Sequence, residues 1–183
     1  MKILKTAGTA AVLCAAALLC GCEGAISIGS AKLPDLGSSF SADAEITFGN
    51  EKAQAEISRI EPGCWEFSFS EPKELSGVVM TLENGEITAS LGELTVTAGE
   101  GGYTMLPVVI AEGLDELPNV KAESFTEENG VLTAKLDSCG SKCTITADKQ
   151  SGEILSFKSP SNKLAVYFSN VSPYTEEVGL IEE

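Results

Sequence analysis

The sequence predicts a mainly β domain: a curled antiparallel sheet of about ten strands with one short covering helix. Three observations carry that class. Apolar and polar residues alternate with period two from Phe40 almost to the chain end. Turn signals built on Gly and Asn punctuate the alternation every few residues. Only the stretch 103–118 carries the three-to-four spacing of an amphipathic helix.

The strands follow in order. "FSADAEITF" places Phe40, Ala42, Ala44, Ile46 and Phe48 on one face, and Gly49-Asn50 turns the chain. "KAQAEISRI" alternates again through Ala53, Ala55 and Ile57 until Pro62-Gly63. "WEFSFS" alternates Trp65, Phe67 and Phe69 with polar residues. "VVMTL" leads to Asn84-Gly85, a strong hairpin signal. "EITASL" and "ELTVTA" follow, with a turn near Gly92. "VLTAKL", "CTITA", "EILSFK" and "LAVYF" complete the set, separated by Asn129-Gly130, Gly140 and Ser151-Gly152 among the turn signals. Such alternation makes a sheet with one wet face and one dry face. A sheet this wide curls, and its dry face must be covered.

The cover is "YTMLPVVIAEGLDELP" (103–118). Pro107 suits a first helical turn. Leu106, Val109, Ile110 and Leu114 share one face. The Val-Val-Ile run and Gly113 make it a weak helix former that needs tertiary packing.

The start of the chain is of a different kind. Lys2 and Lys5 precede an uncharged, apolar or small run from Ala7 to Leu19. This is secretory-signal architecture, too short for a membrane span of about 20 residues. Leu19-Cys20-Gly21-Cys22 resembles a bacterial lipobox, with Leu at −3 and Cys22 at +1. Cys20 fits poorly as the modified residue, because Leu18 and Leu19 precede it. Residues 1–21 are expected to be a lipoprotein signal peptide. Residues 22–38 are then the lipidated N-terminus and a flexible linker, and 39–183 the folded domain. The implied chemistry is a thioether-linked diacylglyceryl group on Cys22, and two acyl chains anchor stably where one is marginal. The expected location is the outer face of the bacterial cytoplasmic membrane. A Gly-, Ser- and Ala-rich linker of about 15 residues spans on the order of 20 Å.

The chain carries a net charge of −15, and loss of Lys2 and Lys5 takes the mature form to −17. That acidity excludes a nucleic-acid footprint and keeps the body, apart from its anchor, off an anionic membrane surface. There is no histidine, so the commonest general base is missing. No serine elbow, phosphate loop or dinucleotide fingerprint is present. The carboxylates alternate along strands as a solvated face does. No catalytic residue, metal or cofactor is expected. "DKQSGE" (148–153) lacks the acidic repeat of a calcium loop and reads as a hairpin turn.

Cys64, Cys139 and Cys143 remain after export. Cys64 reads as a buried small apolar residue. Cys139 and Cys143 flank a hairpin loop and form either a disulfide or two free thiols; a metal site is poor without histidine. Arg59 is the only arginine. By position it reads as a solvent-facing strand residue paired with a neighbouring Glu.

The order of elements resembles the LolA-like superfamily of lipoprotein carriers. The resemblance covers roughly residues 38 to 173. It rests on Pro72, Leu75 and Gly77 after an aromatic strand, Asp148 and Gly152 in a late hairpin, and Phe168-Ser169-Asn170 closing the last strand. Within the superfamily the chain looks like lipoprotein members from Gram-positive gut-type bacteria, including the spore-germination lipoprotein GerS. The resemblance implies an incomplete (half) barrel whose apolar concave face holds acyl chains or a partner's hydrophobic segment. It also implies a lid held by a basic residue, for which Arg59 is the candidate. A lipid-anchored chain would receive or hold its ligand rather than shuttle it.

Hairpin registers then place Trp65, Phe67, Phe69, Val78, Met80, Leu82, Ile87, Ala89 and Leu91 on the concave face. Val109, Ile110 and Leu114 should lie over them. The expected ligand is a lipid, an acyl chain or a partner lipoprotein. The alternative is a GerS-like docking scaffold for a cell-envelope or spore-cortex enzyme.

Overall fold

A computed structural model describes residues 38–97, 105–138 and 141–175. The expected signal peptide, Cys22, most of the linker and Cys139 lie outside the described residues.

Eleven strands form one antiparallel sheet: β1 (Phe40–Phe48), β2 (Glu51–Glu61), β3 (Cys64–Glu71), β4 (Val78–Glu83), β5 (Glu86–Leu91), β6 (Leu94–Thr97), β7 (Thr126–Glu128), β8 (Val131–Ser138), β9 (Ser141–Asp148), β10 (Ile154–Ser159) and β11 (Leu164–Pro173). Helix α1 (Met105–Asp115) lies between β6 and β7 in the chain. Two 3-10 turns follow it, at Leu117–Asn119 and Ala122–Ser124.

The strand order is β6-β5-β4-β3-β2-β1-β11-β10-β9-β8-β7. Two meanders therefore meet where the first strand pairs with the last, and β6 and β7 are the two edges of the sheet among the described residues. The chain leaving β6 must reach the opposite edge to begin β7. The connection between them carries α1, which packs against β3 and β4 from one meander and β8 and β10 from the other. Laid flat, β4 and β8 would stand about 34 Å apart, at about 4.8 Å per strand. An eleven-residue helix is only about 16 Å long. One helix reaches both because the sheet curls around it, and the unpaired edges leave the barrel incomplete.

The turns follow from local chemistry. Gly77 closes the β3–β4 connection at φ +83°, with its N–H on the Phe69 carbonyl and Leu75 folded inward against the core. At the β9–β10 turn, Asp148 Oδ1 accepts the backbone N–H groups of Gln150 (2.8 Å) and Ser151 (2.7 Å). Those two bonds hold the Asp148 carboxyl below its ordinary value. The segment is thus a side-chain-braced turn, as read from the sequence. Between β1 and β11 the register shifts, and Asn170, at φ +53°, donates Nδ2–H to Asp43 Oδ2 at 2.6 Å.

Strands β1 to β6 and β8 to β11 lie where alternation placed them. Strand β7 has no counterpart in the sequence reading: "TEE" is three residues long and shows no apolar alternation.

Candidate functional site: the roofed concave face and its latch

The dry face of the sheet and the roof meet as expected. Trp65, Phe67, Phe69, Met80 and Leu82 are buried together with Val109, Ile110 and Leu114 in one core. Cross-strand pairing explains the alignment: Trp65 stands opposite Leu82 and Phe67 opposite Met80, and these in turn face Ile87 and Ala89 on β5. Inward residues on neighbouring strands therefore form rows across the sheet. The roof sits close. A Cβ built on Gly113 would lie 2.7 Å from Cζ of Phe157 on β10, so the missing side chain lets helix and ring touch.

Cover fades toward β6. Val78, Ile87 and Ala89 are half-buried, and Leu91 is 55% exposed. Leu94 and Val96 stand opposite Leu91 and Ala89, so they continue the concave face, yet they are 66% and 51% exposed. The apolar face is thus filled beneath α1 and bare at its β6 margin.

One polar constellation interrupts the apolar lining. Arg59 lies on β2 opposite Phe40 on one side and Trp65 on the other. It is 1% exposed, and its Nε donates to Asp115 Oδ1 at 2.7 Å. Its Nη1 donates to the Ser38 carbonyl at 3.2 Å, and its guanidinium lies 5.8 Å from the Trp65 ring centroid. Asp115 Oδ2 accepts the Trp65 Nε1–H and the Gly63 backbone N–H, each at 2.9 Å. Asp115 is the last residue of α1, so the cluster ties the C-terminal end of the roof to the β2–β3 turn. An isolated buried guanidinium would be prohibitive; here it is matched by a carboxylate with two further donors on its other oxygen.

This corrects the sequence reading of Arg59 as a solvent-facing residue paired with a neighbouring Glu. Alternation from Ala53, Ala55 and Ile57 carries position 59 onto the inner face, and its partner lies 56 residues away. Asp115 was missed. A signal existed: an aspartate in the last turn of a helix opposes the macrodipole, so it needs a cation from elsewhere.

Cys64 is half-buried, not buried as expected, because β3 turns it away from Trp65. Burial, then the nearby Glu83, Glu61 and Glu66 carboxylates, push its thiol up, which keeps it protonated and unreactive at neutral pH. Cys143 is a free, buried thiol. The β8–β9 register sets Leu136 opposite it, and the expected pairing with Cys139 lies outside the described residues. Among the described residues there is no cluster of His, Cys, Asp and Glu that could hold a metal ion, and no helix long and apolar enough to cross a membrane.

No family model and no curated protein matches the chain. Solved structures do. An uncharacterized conserved protein from Thermus thermophilus matches 76% of this chain and 81% of its own, at 11% identity and a TM-score of 0.49. A LolA superfamily protein from Nitrosomonas europaea matches 80% of this chain and 90% of its own, at 8% identity and a TM-score of 0.42. A domain from Vibrio parahaemolyticus, described as an outer membrane lipoprotein-sorting protein, matches 81% of this chain and 89% of its own, at 10% identity and a TM-score of 0.38. The superfamily that the sequence resembles is among these likenesses.

Proposed function

We propose that this chain is a non-enzymatic, extracytoplasmic binding lipoprotein. Cys22 carries a diacylglyceryl anchor on the outer face of the cytoplasmic membrane. The half-barrel takes a lipid, an acyl chain or the acylated end of another lipoprotein beneath α1. The observation that carries this reading is a continuous apolar face roofed by one helix of weak intrinsic propensity and latched at its end by Arg59 and Asp115. Release of that latch would let α1 tilt and uncover Trp65, Phe67, Met80 and Leu82. Each methylene placed there contributes about 0.8 kcal/mol, while a charged ligand would lose its hydration without a partner.

Trp65 is the only tryptophan in the chain and sits in the latch, so its fluorescence reports opening. A chain beginning at Glu23 is titrated with lysophosphatidylcholine below its micelle concentration. A saturable change is expected, and tighter apparent binding by Asp115→Asn, whose closed state is less favoured. No saturable change in either protein overturns the groove reading. For the anchor, Cys22→Ser should release the protein from membranes; a variant still membrane-bound and acylated overturns that part.

A second reading, the docking scaffold, is favoured by a separate observation. The core beneath α1 is filled, while Leu91, Leu94 and Val96 are bare at the sheet margin.

A further inference from the structure

We infer that the β6 margin is a docking site for an extended segment of a partner protein in which apolar residues alternate with Lys or Arg. The inference stands whether or not α1 opens, because the site lies beyond the roof. Three observations on the same margin carry it.

First, β6 is a sheet edge: it pairs with β5 on one side, and no described residue pairs with the other. An edge strand offers backbone donors and acceptors to an incoming chain. Natural edges are blunted by shortness, charge, Pro or a bulge; β6 is short, at four residues, but Leu94–Thr97 carries no charge, Pro or bulge. Second, Leu94 and Val96 alternate with Thr95 and Thr97, so one side of the margin is apolar and the other hydroxylated. Leu91 extends the apolar side onto β5. An added strand would set its own apolar residues against Leu94 and Val96 at the diagonal and direct spacings of neighbouring strands.

Third, charge selects the partner. Between Val78 and Thr97 there is no basic residue, and Glu83, Glu86 and Glu93 are all exposed. Of these, Glu93 immediately precedes Leu94 at the start of β6. A cationic residue on an added strand comes within reach of it. An acidic or neutral strand gains nothing there and meets a chain that carries 27 acidic residues against 12 basic ones.

The probe is a fluorescently labelled, end-capped octapeptide alternating Val with Lys, followed by anisotropy. Binding that saturates below about 1 mM is expected, with slowed amide exchange in β6. The double variant Leu94→Thr, Val96→Thr should weaken it roughly tenfold with an unchanged urea midpoint, since both side chains are exposed. Peptides alternating Val with Glu, or carrying N-methyl groups on alternate amides, should fail to bind. Equal binding of either control, no binding of the Val–Lys peptide, or an unaffected double variant each overturns the inference. If the double variant keeps the peptide but loses the lysophosphatidylcholine response of Trp65, the strip is the mouth of the groove and the strand proposal falls. If lipid binding fails while the peptide behaves as stated, the groove reading alone is lost.

Discussion

Arg59 on β2 and Asp115 at the end of α1 form a 2.7 Å ion pair between the floor and the roof of the concave face. The two partners are not equivalent. Arg59 is 1% exposed, whereas Asp115 is 20% exposed and has donors of its own in Trp65 and Gly63. Removing the carboxylate strands a charge without water; removing the guanidinium leaves a charge that is still solvated and bonded. Asp115→Ala should therefore destabilise by about 3–5 kcal/mol, and Arg59→Leu by roughly half of that. Urea unfolding followed by Trp65 emission measures both. Equal losses, or a larger loss for Arg59→Leu, would sink the asymmetry.

The Asp148 turn gives a pH signature. Its carboxylate accepts two backbone N–H groups, and its folded-state value is lowered by them. A lowered folded value means that ionised Asp148 stabilises the fold above the unfolded aspartate range, near about 3.9. That contribution is lost as pH falls through the folded value. The stability difference between the wild type and Asp148→Ala should be constant near neutrality and shrink steadily as pH drops below about 4. Paired urea midpoints across that range test it, and a difference that widens on acidification contradicts the turn chemistry.

Much of this was legible in the sequence, for a physical reason. Period-two alternation and glycine turns are local signals, and hairpin pairing is local too, so ten of the strands and the face shared by Trp65, Met80 and Ile87 could be read directly. The helix could be read from Leu106, Val109, Ile110 and Leu114, although it ends at Asp115 and gives way to 3-10 turns at Leu117–Asn119 and Ala122–Ser124. The latch could not be read so easily. Alternation carries position 59 inward, but a buried arginine needs a partner, and that partner is 56 residues away in the chain. The bare β6 margin was hidden for another reason. Leu94 and Val96 carry the same alternation as buried strands, and only the reach of the eleven-residue roof decides which rows it covers.

Gly113 is where the roof rests on β10. Helix propensity alone says that Gly113→Ala should stabilise α1 by up to about 1 kcal/mol. The packing says otherwise, because an added Cβ would meet the Phe157 ring at 2.7 Å from Cζ. Phe157 is fully buried on β10, so the ring cannot swing into solvent and the helix must lift. Overpacking of this kind costs about 1–3 kcal/mol, which exceeds the propensity gain, and a net destabilisation of about 1 kcal/mol or more is expected. The three nearest atoms all belong to that one ring, so replacing it with a smaller side chain should relieve the clash. In Gly113→Ala, Phe157→Leu the two changes should be less damaging together than the sum of the single variants, by about 0.5–3 kcal/mol. A double-mutant cycle from urea midpoints measures this coupling, and the Trp65 signal reports whether the lifted helix also loosens the latch. Strict additivity would mean that α1 does not rest on Phe157 as described, and a stabilised Gly113→Ala would mean that the roof sits farther from the sheet than this packing requires.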